Sequence, residues 1–293
     1  MAHVKVSSPD LRGVRAFLVL IMSLLLFAVA GMIERARAQD LPVLFDAHER
    51  VPRPDLSALL RLRFLTTTDF PPFNFADQTG RLAGFHVELV REICTELGIE
   101  AKCQIQAMPY AELETALSNG QGEAVVAGVA VTEELRRRFA FSRPYMMLPA
   151  RFVRNVKAGV AGDDVTALRD RPVGVVTGTA HEAMLKVFFP DVRVTGFDDR
   201  GAMLDALKQG RVDAVFADAL QLSFWASGEA SEGCCALMGG AYVSERFLGE
   251  GLTVMLRQDE APLAAAIDSA LAAISRDGRL QEIYLRYFPY GLY

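Results

Sequence analysis

The sequence predicts an α/β fold made of two similarly built lobes, and three observations predict it. Short apolar, β-branched runs such as residues 64–68 alternate with amphipathic stripes such as residues 87–97, the alternation expected of sheets with helices on their faces. A twelve-residue pattern also recurs: ALSNGQGEAVVA at 116–127 matches ALKQGRVDAVFA at 206–217. Each copy reads as a helix ending at a glycine, an acidic turn and a buried strand. Two copies of one such unit argue for two lobes of one build. The length, 293 residues, suits one large domain or two small ones with substantial cores.

The first segment departs from globular composition. Lys5, Arg12 and Arg15 precede an apolar run over 16–32, and Ala36-Arg37-Ala38 follows, the pattern of a secretory signal peptide cleaved between Ala38 and Gln39. The competing reading of the same run is an uncleaved anchor, since about seventeen apolar residues lie near the lower limit of a span. Without residues 1–38 the chain keeps 26 Lys+Arg against 34 Asp+Glu, a net charge of −8. Such a surface offers no electrostatic footprint for nucleic acid or anionic membrane. It suits a periplasmic protein, a compartment in which disulfides persist. A Cys94–Cys103 bond is therefore expected, stapling a helix to the next strand across a loop of about ten residues, worth roughly 3 kcal/mol on the chain-entropy model. Cys234-Cys235 leaves three readings open: a vicinal disulfide, two free thiols or half of an intermolecular bond.

Along the chain, residues 39–61 carry Pro42, Pro52 and Pro54 with scattered charge and read as an extension lying on the first lobe. The stretch 63–93 then predicts strand, pocket loop, hairpin and helix. Pro71 and Pro72 end the strand because neither donates to a ladder, which leaves a stiff, Phe-rich loop at a strand's carboxyl end, where open α/β sheets bind ligands. Strands follow near 103–106 and 124–129, with a helix between them from about 110 to 118. A further helix begins at Thr132 as N-cap. The second lobe is predicted as strand 173–176, helix 180–189, strand 192–196, helix 201–208 and strand 214–216. Gly239-Gly240 is a candidate hinge, and residues 261–287 supply closing helices. His86 and His181 read as surface or capping residues, having no partner at ligand spacing. Nothing in the sequence calls for a metal or cofactor, and no nucleophile elbow or phosphate-cradling loop occurs.

The run Asp69-Phe70-Pro71-Pro72-Phe73-Asn74-Phe75, the hairpin Gly80, and Gly84-Phe85 before an acidic helix resemble the family 3 periplasmic solute-binding proteins, which bind polar amino acids for ABC transporters. Phe141-Ser142-Arg143-Pro144-Tyr145 and Asp277-Gly278-Arg279-Leu280 with Tyr287-Phe288 resemble the same family, so the likeness spans about 62–288. It implies the type II periplasmic-binding-protein fold, with two crossing strands as hinge: lobe 1 from 62–153 and 241–293, lobe 2 from 154–240. It further implies a small amino-acid-like ligand, an inner-membrane permease as partner, a monomer and no catalysis. Two other functions share the fold, a periplasmic dehydratase and a ligand-sensing partner without transport.

The resemblance also supplies site residues. Phe70 and Tyr110 match the family's two sandwiching aromatics, and Asp218 matches the aspartate that grips the ligand's ammonium group. Gly178 and Thr179 precede a helix whose N–H groups suit an anion. Gly128 and Ala130 stand where relatives often show serine, leaving backbone contacts to the ligand. The family's carboxylate-binding arginine falls on Leu135. Arg136 can replace it only if its helix is wound one residue later, since one residue turns a side chain by about 100°; otherwise Leu135 faces the ligand or core and the three arginines form a solvated face.

Overall fold

The computed structural model describes residues 41–46, 48–289 and 291–293; the expected signal peptide and its cleavage point lie outside the described residues. In chain order the first strands are β1 (Leu62–Thr66), β2 (Asp69–Phe70), β3 (Asn74–Ala76), β4 (Leu82–Ala83), β5 (Cys103–Ala107), β6 (Ala124–Val125) and β7 (Phe139–Phe141). The rest are β8 (Ala150–Asn155), β9 (Pro172–Val176), β10 (Arg193–Phe197), β11 (Ala214–Asp218), β12 (Cys235–Tyr242) and β13 (Met255–Arg257). One five-stranded sheet has the order β5-β1-β6-β13-β7 and a second has β10-β9-β11-β8-β12, while β2, β3 and β4 form a small antiparallel sheet. In each large sheet three parallel strands come first, with the earliest in the middle, and an antiparallel strand pairs beside them. The sheets thus share one winding order.

The repeated sequence explains that likeness. Gly120 and Gly210 have φ of 69° and 71°, left-handed values that glycine adopts without penalty. Gly120 N–H bonds to Leu117 O at 3.1 Å and Gln121 N–H to Ala116 O at 2.9 Å; Gly210 N–H bonds to Leu207 O at 3.0 Å and Arg211 N–H to Ala206 O at 2.9 Å. Both helices end in the same six-to-one and five-to-two closure. The acid that follows finds an arginine at the start of the middle parallel strand, Glu123 with Arg63 in β1 and Asp213 with Arg171 just before β9, each pair at 2.9 Å.

Strand alternation sets the layers. In β1, Phe64 packs in the core shared with the helix Phe85–Leu97, and Leu65 packs on the opposite side with Leu113 and Leu117. In β8, Phe152 joins one core with Val175 and Phe216 while Val153 joins another with Met203 and Leu207. Both sheets are covered on both faces, as parallel strands require.

The structure bears on three readings of the sequence. The lobe boundaries expected at 153/154 and 240/241 fall inside β8 and β12, both members of the second sheet. Gly239 and Gly240 lie within β12, at a register shift between Met238 and Tyr242, where Gly239 O accepts from Arg151 at 2.8 Å; the candidate hinge thus falls at an irregularity of a paired strand. His86 is 1% exposed, with its Nδ1 at 2.5 Å from Asn74 Oδ1 and its Nε2 at 2.7 Å from Tyr145 Oη. With Nδ1–H donating to Asn74 and Nε2 accepting from Tyr145 O–H, the neutral ring is satisfied and the charged ring would be buried.

Burial accordingly pulls the His86 pKa down from 6.5 to about 3. Between those values the unfolded chain binds a proton that the folded chain refuses, so stability is expected to fall as pH drops from about 6.5, by about 1.4 kcal/mol per unit. Urea unfolding at pH 7 and pH 5 should show this slope in the wild type and a shallower one in His86→Gln.

The extension does lie on the first lobe: Leu41 and Phe45 are buried in its core, and Leu41 N–H bonds to Gln281 Oε1 at 2.7 Å. Cys94 and Cys103 are bonded, as are Cys234 and Cys235. Among the described residues no helix is long and apolar enough to cross a membrane.

Candidate functional site

Two cavities lie at the carboxyl ends of the central strands, one in each lobe. In the second lobe β11 ends at Asp218, whose Oδ1 accepts the Gln221 N–H at 3.0 Å and caps the helix Ala219–Ser227. Beside it β9 leads into the helix Ala180–Phe188, capped by Thr179: its Oγ1 accepts the Glu182 N–H at 3.2 Å, and its hydroxyl donates to Val176 O at 2.7 Å. Asp218, Thr179, His181, Arg200, Phe216 and Gln221 line a cavity of about 360 Å³.

The electrostatics centre on Asp218. Burial raises its pKa above the ordinary carboxylate value, against the Gln221 N–H bond and the fields of His181 and Arg200, which favour the ionised form. His181 is half-buried, edge-on to Phe216 at 6.2 Å, and burial lowers its pKa while Asp218 opposes that shift. A carboxylate already short of water gains most from a cationic partner. His181 is thus a lining residue of this cavity, not a surface one. Gly178 has a different place from that expected: its N–H donates to Glu182 Oε2 at 2.8 Å, so the helix end already holds a carboxylate of its own.

In the first lobe the loop after β6 is addressed from two sides. Phe70 stacks on Phe73 with centroids 4.7 Å apart, and its ring closes over Gly128, where an added Cβ would sit 2.6 Å from Phe70 Cε1. Gly128 also has φ of 71°, so both backbone conformation and contact demand glycine. Two residues on, Ala130 lines a cavity of about 470 Å³ with Tyr110, Val129, Thr132, Leu135 and Met255. Tyr110 is 52% exposed, an aromatic face open to the solvent of that cavity.

Helix winding decides the arginines. Thr132 Oγ1 accepts the Leu135 N–H at 3.2 Å, and the helix spans Glu133–Arg138. The later start that Arg136 needed does not occur. Leu135 packs against the first lobe's core beside Phe141 and lines the Tyr110 cavity, whereas Arg136 Nε donates to Glu250 Oε1 at 3.1 Å. Arg137 pairs with Glu133 at 2.8 Å and Arg138 with Glu114 at 2.9 Å. The expectation that Arg136 clamps a carboxylate is therefore corrected: this helix points an aliphatic residue, not a cation, at the cavity.

Residues 62–290 match the model of the bacterial extracellular solute-binding proteins, family 3. The chain belongs to that family. As a family 3 solute-binding protein it is 28% identical to the L-arginine-binding protein of Pseudomonas aeruginosa (strain PAO1), over 76% of this chain and 86% of that one. It is equally 28% identical to the L-cystine-binding protein TcyJ of Escherichia coli (strain K12), over 75% of this chain and 79% of that one. The solved substrate-binding domain 2 of GlnP from Lactococcus lactis, in an open conformation, superposes with a TM-score of 0.63 at 17% identity, covering 78% of this chain and 95% of that one, which shows the two-lobed type II fold. The two named relatives take different amino acids at equal identity, so the wall residues, not overall likeness, must choose the solute in this solute-binding protein.

The structure places Asp218 at the end of β11 and Phe70 over Gly128; sequence reasoning did not single out His181 and Arg200 as cavity-lining residues. His181 had no partner in sequence, because its neighbours Phe216 and Asp218 come from another strand. Arg200 carried a signal: an arginine at the first helical position after the cap Asp199 faces the positive end of the helix dipole, which favours acids there.

Proposed function

We propose that this solute-binding protein delivers an amine-bearing, amino-acid-like solute to an inner-membrane ABC permease, working as a monomer in the periplasm. The solute is held between the lobes, with residues 62–149 and 243–293 on one side and 150–242 on the other. The observation that carries the reading is Asp218, a carboxylate at the end of β11, short of water and facing a cavity. An ammonium group meeting it makes a charge-assisted hydrogen bond. Phe70 and Tyr110 supply rigid apolar faces on the opposite wall, each worth on the order of 1 kcal/mol beyond the area it buries.

A thermal-shift screen of residues 39–293 against amino acids, simple amines and organic acids tests this. A solute present at about a hundred times its dissociation constant stabilises the fold by about 2.7 kcal/mol. The expected result is stabilisation by at least one amine-bearing compound. Stabilisation by organic acids alone would overturn the reading.

A further inference from the structure

Among the described residues none that lines the first lobe's cavity is a cation, whereas Arg200 lines the second lobe's cavity. Three arginines of the helix Glu133–Arg138 each hold an acid, Glu250, Glu133 and Glu114, and Leu135 occupies the cavity wall. In the second lobe Arg200 lines the same cavity as Asp218. Among the described residues no carboxylate stands within ion-pair distance of Arg200; its guanidinium donates instead to Gln221 Oε1, a neutral acceptor. Gln221 joins the two charges, because its backbone N–H bonds Asp218 Oδ1 while its side chain bonds Arg200.

The helix end that would otherwise suit an anion is engaged. Gly178 N–H is bonded to Glu182, and Glu182 also pairs with Lys186 at 2.7 Å. A ligand carboxylate placed there would meet a resident carboxylate, and like charges at close range cost energy in a partly buried site. Arg200 is the guanidinium beside Asp218 that remains open to a planar anion, and an arginine fork matches a carboxylate bidentately.

We infer that Arg200 is the specificity-determining residue for the ligand carboxylate, so that the second lobe alone holds the zwitterionic head group, ammonium on Asp218 and carboxylate on Arg200. The first lobe then contributes an apolar wall of Phe70, Tyr110 and Leu135 against the ligand's body. This inference rests on the reading of the chain as an amine-binding protein. It assigns to the second lobe a contact that the resemblance places on the first.

Calorimetric titration with matched pairs tests it: L-arginine and agmatine, L-histidine and histamine, L-tyrosine and tyramine, L-lysine and cadaverine. Each amine is the amino acid without its carboxylate. The proteins are the wild type, Arg200→Met, and Arg136→Met as a control outside both cavities. The expected result is that the wild type prefers at least one amino acid over its amine by tenfold or more, that Arg200→Met removes the preference mainly by weakening the amino acid, and that Arg136→Met keeps it. An amino-acid preference that survives Arg200→Met overturns the assignment, as does a wild type that binds the amines equally well; in both cases the amine-binding reading stands. Binding of no member of either column overturns that reading and the assignment with it.

Discussion

Asp218→Asn is expected to weaken amine-bearing solutes at least thirtyfold while leaving the melting temperature of the unliganded protein nearly unchanged. Asparagine caps a helix about as well as aspartate, so the Gln221 N–H keeps its acceptor and the helix Ala219–Ser227 keeps its start. The charge, however, is gone. Losing one partner of a partly buried charged hydrogen bond costs about 2 to 5 kcal/mol, and thirtyfold corresponds to about 2 kcal/mol. Asp218→Ala should match the affinity loss and add about 1 kcal/mol of destabilisation from the missing cap. The pH profile carries the same sign. Burial places the Asp218 pKa above the ordinary carboxylate value, so wild-type affinity should fall on acidification at a higher pH than a solvated carboxylate would dictate. In Asp218→Asn that loss should be absent. Affinity unchanged by Asp218→Asn would mean that no ammonium group sits there.

Gly128→Ala is the second large effect. A β-carbon would lie 2.6 Å from the Phe70 ring, and φ is 71°. A left-handed non-glycine residue costs about 1 to 2 kcal/mol by itself, and the ring cannot retreat freely because it is stacked on Phe73. The expected loss is about 2 kcal/mol, on the order of 5 °C in melting temperature for a chain of this size, together with weaker solute binding as Phe70 is displaced. A second substitution separates the two causes. Phe70→Leu in the Gly128→Ala background should recover part of the stability through a coupling of opposite sign. If the double variant is simply additive, the contact is not what holds residue 128 to glycine.

How much of this the sequence disclosed depends on the range of the interactions. The helix–glycine–acid–strand units were readable because their signals are local: an αL glycine, an acid and an apolar run within twelve residues. The arginines that complete them were not, since Arg63 and Arg171 lie 60 and 42 residues from Glu123 and Asp213. His86 was misread for the same reason. Its partners Asn74 and Tyr145 are 12 and 59 residues away, so an isolated histidine beside a helix start gave no sign of a closed buried network. The winding of the Glu133–Arg138 helix was undecided by sequence, which allowed either Leu135 or an arginine to face inward; the Thr132 cap fixed the phase. That Gly239-Gly240 sits at an irregularity of a paired strand was not legible, because pairing with β8, about 85 residues earlier in the chain, sets it.

Small-angle scattering of residues 39–293, with and without the most stabilising amine-bearing solute, tests most directly whether one solute is gripped between the two walls. The radius of gyration is predicted to fall on saturation of the wild type. It should stay at its unliganded value for Asp218→Asn at the same solute concentration. A solute that binds the wild type tightly without any contraction would contradict capture between the lobes.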